Sequence, residues 1–196
     1  MTITDEVDRS AHTSAPILEV LAERWSPRAY DSSIAIDERK LTSALEAARW
    51  SPSASNTQPW RFIVARRGTE AFDSIAANLM GFNQAWAGSS AVLIVNIAES
   101  VDAEGNARPW ANYDLGQAVA HLSVQAHHDG LHVHQMGGFV ADGLREAFSL
   151  PERFTPVSVT ALGVLGAAEG LPDVLREREL APRSRNALDD ILLVNA

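Results

Sequence analysis

The chain has 196 residues, 46% of them hydrophobic and 21% charged, the balance of a globular protein with a substantial core. Its formal net charge of −9 disfavours nucleic acid and anionic membrane as partners, and its apolar runs are too short to span a bilayer. The absence of cysteine excludes disulfides, thiolate metal sites and a cysteine nucleophile. The N-terminus, Met1-Thr-Ile-Thr-Asp-Glu-Val-Asp8, is acidic and polar, without a secretory pattern, so a cytoplasmic location is expected.

Residues 1–15 read as a flexible lead-in, and residues 16–196 as one domain without repeats or linkers. Pro16 to Arg24 predicts a short helix with proline in its first turn. Asp37 caps a stronger helix through Arg49, with Leu41, Leu45 and Ala48 on one face. Ser51-Pro-Ser-Ala-Ser-Asn-Thr-Gln-Pro-Trp60 follows, a loop stiffened by two prolines and by side chains that bond locally. It presents hydroxyls, amides and backbone N–H groups to a neutral or anionic ligand.

Phe62–Ala65 predicts a strand, Arg66–Gly68 a turn, and Thr69 the cap of a helix bearing Phe72, Ile75, Ala76 and Leu79. Ala91–Ile97 is apolar throughout and predicts a buried strand. Glu99–Pro109 reads as a solvated acidic loop. Trp110 to about His128 predicts the longest helix, with Leu115, Ala118, Val119, Leu122 and Ala126 inward and Gly130 as its stop. A strand at 131–134, a Gly137-Gly138 break, a helix over 141–148 and a strand over 154–164 complete the regular part. The tail is charged, then apolar at Ile191–Val194, which suggests an arm crossing onto another subunit or an edge strand added to a partner's sheet. Irregular mixing of helices and strands indicates α+β with a largely antiparallel or mixed sheet.

Two basic clusters gain weight against the acidic background. Arg24, Ser26 and Arg28 fall at i, i+2 and i+4 in an extended segment, so their side chains can point one way, and Arg183 and Arg185 repeat the spacing. Guanidinium forks pair with phosphate oxygens in a bidentate manner, while no Gly-x-Gly-x-x-Gly or Walker loop is present. A phosphorylated planar ligand held from both chain ends fits these residues.

His127-His128-x-x-x-His132-x-His134 has imidazoles suited to a metal, but adjacent histidines on a helix point roughly 100° apart. Surface or core histidines are the expected reading, and no metal is assigned. Trp60 is expected beneath the loop, and Trp86 and Trp110 in a substrate pocket. Tyr113 and Asp114 are either structural or catalytic. Asn56 and Gln58 either reach a ligand or tie the loop's own backbone together.

Arg24-x-Ser-x-Arg28, Ser51-Pro-Ser-x-x-Asn-x-Gln-Pro-Trp60-x-Phe-x-Val64, Asn83, Tyr113-Asp-Leu-Gly116, Gly137-Gly-Phe139 and Arg183-x-Arg185 together resemble the FMN-dependent nitroreductase family, in the right order over about residues 16–190. The resemblance implies a homodimer with a mostly antiparallel sheet flanked by helices, an exchanged C-terminal arm and one FMN at each end of the interface. It implies that Arg24, Ser26 and Arg28 hold phosphate and ring edge, with Arg183 and Arg185 at the phosphate. Pro52, Ser53 and Asn56 would reach the other subunit's flavin. Asn83 would bond the ring, which the backbone of Gly137 and Gly138 would approach.

Chemistry would be carried by FMN, with no catalytic side chain required. NADH or NADPH would donate hydride, and a nitroaromatic, quinone or similar small molecule would accept electrons in a ping-pong cycle. Two positions depart from the pattern: many members carry an acidic residue in place of Gly137 and a lysine in place of Trp86. Losing that lysine removes a cation that favours the anionic reduced flavin. A flavin-binding protein for storage, sensing or flavin conversion is therefore a second reading, and a phosphorylated-ligand or metal-binding dimer without redox activity is a third.

Overall fold

The computed structural model describes residues 9–195. A short helix α1 (Glu19–Glu23) precedes α2 (Glu38–Arg49), whose cap residue Asp37 accepts from the backbone N–H of Arg39 and Lys40. The chain then forms β1 (Trp60–Arg66) and α3 (Glu70–Ala77), where Thr69 Oγ1 accepts from Phe72 N. Next come β2 (Val92–Glu99), α4 (Ala111–His128), β3 (His132–Met136), α5 (Ala141–Ala147) and β4 (Phe154–Gly163). The tail carries α6 (Asp173–Leu180) and a single turn, α7 (Leu188–Ile191).

The strands form one sheet in the order β1-β2-β4-β3, with every pairing antiparallel. Strand β2 explains the three layers. Its side chains alternate faces: Val92 and Ile94 join Leu41, Ala44, Leu115, Ala118 and Leu122 of α2 and α4 on one side. Leu93, Val95 and Ile97 join Phe72 and Ile75 of α3, Leu144 of α5 and Leu175 of α6 on the other. Helices cover both faces, which is why β2 is apolar at nearly every position.

The polar exception inside the strand, before Glu99 at its end, is buried Asn96, whose amide donates to Ser158 Oγ at 3.0 Å and Thr160 Oγ1 at 2.7 Å on β4. The register shifts immediately after it, where Pro156 opposes Ile97. A bulge is where a strand tolerates a residue that cannot donate to the ladder.

Several boundaries differ from the sequence expectation. The helix expected over 16–24 is confined to five residues, with Pro16 outside it. Helix α6 forms where the sequence predicts only a charged tail, because Asp-Val-Leu-Arg-Glu-Arg-Glu-Leu lacks a clean apolar stripe; it docks through Leu175 and buried Glu179. The acidic loop expected from Glu99 onward is not wholly solvated. Glu99 ends β2 at 3% exposure and receives Arg61 and Arg108 at 2.7 Å and Arg153 at 2.8 Å.

Residues 1–8 of the expected lead-in lie outside the described residues. From Arg9 onward the chain is tied down: Ala11 N donates to Ala22 O and Arg9 Nη1 to Ala181 O. Among the described residues no helix is long and apolar enough to cross a membrane. Leu188, Ile191, Leu193 and Val194 of the tail are exposed, Leu193 at 97%.

Candidate functional site

A cavity of about 230 Å³ lies between the two chain ends. Six arginines line it: Arg9, Arg24 and Arg28 from the N-terminal side, Arg178, Arg183 and Arg185 from the C-terminal side, with Trp25 and Ser26. Arg24 leaves α1 with extended dihedrals (φ −62°, ψ 135°), so the chain from 24 to 28 runs along the cavity instead of continuing the helix.

That segment is pinned at several points. Pro27 O accepts from His134 Nδ1 on β3 at 2.8 Å, which fixes the imidazole with its proton on Nδ1. Arg28 N and Ala29 N donate to Glu179 Oε1 at 2.8 and 3.0 Å. Ala29 O accepts from Gly166 N at 3.0 Å, and Tyr30 bridges to Leu165. Gly166 has to be glycine, since a Cβ there would lie 2.5 Å from the carbonyl carbon of Tyr30 and 2.6 Å from Asp31 N.

From the other end, Arg183 Nη1 donates to Arg9 O at 2.5 Å and Ala22 O at 2.6 Å, and Arg185 Nη1 to Ser184 O at 2.7 Å. The Arg9 guanidinium stacks 4.1 Å above the ring of Trp25. Burial lowers the pKa of Arg24 and Arg183, and the neighbouring guanidiniums lower both further. Arginine stays protonated regardless, so the depression records first the burial of these charges and second their mutual repulsion, and an anion would relieve the repulsion. Glu179 is the only carboxylate within ion-pairing distance of these guanidiniums among the described residues, 3.7 Å from Arg28 Nη1.

Asn83 and Gly138 form a second grouping. Asn83 Nδ2 donates to Gly138 O at 3.1 Å, and a Cβ on Gly138 would come within 3.0 Å of that nitrogen. Gly137 beside it has open space where a Cβ would stand. The two groupings are linked by Arg178, which lines the arginine cavity while its Cζ sits 5.5 Å from the ring of Phe82, next to Asn83.

The polar loop builds a separate cavity of about 170 Å³, lined by Ala54, Ser55, Thr57, Arg108, Trp110 and Asp114 among others. Its backbone is held in left-handed conformations at Ser55, Asn56 and Gln58 (φ 52°, 55° and 46°). Ser53 Oγ accepts from Gln58 N at 3.0 Å, and Gln58 Nε2 donates to Asn56 O at 3.3 Å, so the Ser53 and Gln58 side chains tie the loop to itself, while Asn56 enters these bonds through its backbone carbonyl. Buried Asp114 anchors it from α4 by accepting from Ala54 N at 3.1 Å, and Ser51 Oγ lies 2.7 Å from His121 Nδ1.

The structure thus brings Arg24, Ser26, Arg28, Arg183 and Arg185 together, and Asn83 with Gly138. Pro52, Ser53, Asn56 and Trp110 stand apart on the loop side, and the two cavities share no lining residue. Trp110 is 61% exposed and meets Tyr113 edge to face at 6.4 Å between centroids. Trp86, expected beside a substrate, belongs instead to the core. It is 3% exposed and packs between Tyr30 and His134, because its large ring fills the space between the helix-covered sheet and the 26–30 segment.

Sequence reasoning missed Arg9, Trp25, Arg178 and Glu179. The last two carried no signal beyond charge in a helix without a clear apolar face. The histidines are dispersed: His134 bonds Pro27, and His127 meets His132 edge to face at 5.3 Å. Burial pushes His132 and His134 down to about 4, with His127 and Arg28 respectively adding repulsion. Among the described residues no group of three or more His, Asp or Glu is placed to hold a metal ion.

A family model described as the nitroreductase family matches residues 21–92. An uncharacterized 15.4 kDa protein in the ask 5′ region of Mycolicibacterium smegmatis is 35% identical over 138 residues, 67% of this chain and 92% of that protein. The major NAD(P)H-flavin oxidoreductase of Aliivibrio fischeri is 37% identical over 71 residues, 35% of this chain and 33% of that one. The crystal structure of an oxidoreductase containing FMN is 36% identical with a TM-score of 0.88, covering 94% of each chain.

Proposed function

The chain belongs to the nitroreductase family of oxidoreductases, and we propose that it binds FMN and uses it to move electrons from NADH or NADPH to a nitroaromatic, quinone or similarly electron-poor small molecule. The observation that carries this reading is the arginine cavity: six guanidiniums against one carboxylate, in a protein of net charge −9. Such a concentration of like charge is stabilised by a multiply charged anion, and a phosphate monoester carries about −1.5 to −2 at neutral pH.

The residues present fit FMN. A cavity of about 230 Å³ takes the phosphate end of the molecule, while Asn83 and the backbone at Gly137 and Gly138 are the groups for the ring. When bound, FMN supplies the redox chemistry by accepting hydride and passing electrons on. The chain's own residues hold and orient it. Arg24, Arg28, Arg183 and Arg185 take phosphate oxygens, and Asn83, fixed by its bond to Gly138 O, offers its remaining amide groups to a ring edge.

The separation of the loop cavity from the arginine cavity supports a homodimer in which the loop of one subunit, with Ser53, Asn56 and Trp110, faces the flavin of the other. The exposed Leu188, Ile191, Leu193 and Val194 support an arm that crosses between subunits. Anaerobic stopped-flow mixing with NADH and NADPH tests the activity. Rapid bleaching of the flavin band by at least one nucleotide, reversed by a quinone or nitroaromatic, is expected. Very slow bleaching by both would favour a flavin carrier without reductase activity, and a colourless protein that takes up no FMN would overturn the reading.

A further inference from the structure

We infer that Glu179 is a positioning residue for the phosphate site, aiming Arg28 and Arg178 into the arginine cavity; this rests on the reading of that cavity as the FMN phosphate site. Glu179 is 2% exposed, and a buried carboxylate is tolerated in the interior only when its lone pairs are used. They are used almost entirely on one short segment. Oε1 accepts from Arg28 N at 2.8 Å and from Ala29 N at 3.0 Å, Oε2 accepts from Arg28 N at 3.0 Å, and Arg28 Nη1 stands 3.7 Å away.

The geometry has two consequences. Two consecutive backbone N–H groups on one carboxylate fix the chain direction at residues 28 and 29, and so the direction in which the Arg28 side chain leaves it. The same contact clamps α6 against this segment, and the residue before Glu179 in α6 is Arg178, which lines the cavity and reaches Phe82 beside Asn83. One side chain therefore registers both walls of the anion site across some 150 positions of sequence.

Charge alone predicts the opposite of positioning. Glu179 is a negative group beside an anion site, so neutralising it would raise phosphate affinity if its Coulombic effect dominated. Its burial against two N–H donors makes the structural effect the larger one: a glutamine can still accept one bond, but it presents an N–H group toward a donor that is already there.

The test uses flavin-stripped protein and fluorescence-quenching titrations with FMN and with riboflavin, which lacks the phosphate. E179Q removes the charge at constant volume, whereas E179D keeps the charge but retracts it by one methylene. Both variants are expected to weaken FMN about tenfold while riboflavin changes less than about twofold. Tighter FMN binding by E179Q with E179D unchanged would show a purely electrostatic role and overturn the inference. A proportional loss of both flavins, with a lower thermal midpoint, would show a merely structural one. If E179Q does not fold, E179D alone decides, because a charge-only role leaves its FMN affinity intact. Wild-type protein that binds riboflavin and FMN equally would instead remove the phosphate reading beneath the inference.

Discussion

Replacing Arg185 by alanine separates binding from folding more cleanly than any other change at the cavity. Arg185 is exposed and donates to Ser184 O, next to it in the chain, whereas Arg183 also ties the N-terminal segment down through Arg9 O and Ala22 O. Its charge lowers the pKa of both Arg24 and Arg183, so in the flavin-free protein its removal relieves repulsion. At about 4 Å and an effective dielectric near 20, a guanidinium attracts one phosphate charge by about 4 kcal/mol. Desolvation offsets part of that, leaving a net charge-assisted bond of about 1.5–3 kcal/mol. The expected outcome is a rise in the FMN dissociation constant of about 10- to 150-fold, with riboflavin affinity unchanged. The thermal midpoint of flavin-free protein should hold or rise slightly, while the midpoint in excess FMN falls through the lost linkage. Equal losses for FMN and riboflavin, or unchanged FMN affinity, would refute the assignment of this cavity to phosphate.

Three further outcomes are expected. Glu99→Gln should cost about 2–3 kcal/mol in urea unfolding, below the usual 3–5 for a broken buried pair, because Arg61 and Arg153 can turn to water; a loss under about 0.5 kcal/mol would mean the three-arginine cluster is not structural. His132 and His134 have folded pKa values of about 4 against about 6.5 unfolded, so the unfolded state binds more protons between those values. Stability should therefore be intact above pH 6.5 and fall with acid by up to about 1.4 kcal/mol per pH unit for each imidazole. His134→Asn should flatten that slope, and a pH-independent wild type would contradict the burial argument. Gly166→Ala forces a Cβ against the backbone of Tyr30 and Asp31, so it should lower stability by about 1–3 kcal/mol and loosen FMN with it.

Much of the fold was legible because it rests on local rules. Asp37 and Thr69 announced their helices by capping chemistry, and β2 announced itself by unbroken apolar content. Helix α6 was not legible, since five charges in eight residues hide the two positions, Leu175 and Glu179, that dock it. The site divides the same way. Arginines four residues apart at one end and two apart at the other could be read as anion ligands from spacing, but Arg9, Arg178 and Glu179 join them only through tertiary contact. Trp86 shows the converse: an aromatic in a promising segment went to the core, where Tyr30 stacks on it and the tilted ring of His134 packs against it. Glu99 looked like the start of a solvated loop because its three arginine partners lie 9 to 54 residues away.

Native mass spectrometry of the protein as purified tests the central claim, that one chain supplies two separate parts of an FMN site completed by a second copy. The account predicts a complex of two chains carrying two FMN molecules, released together with dissociation to flavin-free monomers. A monomer that retains FMN at full affinity, or a dimer whose released ligand is not FMN, would contradict it.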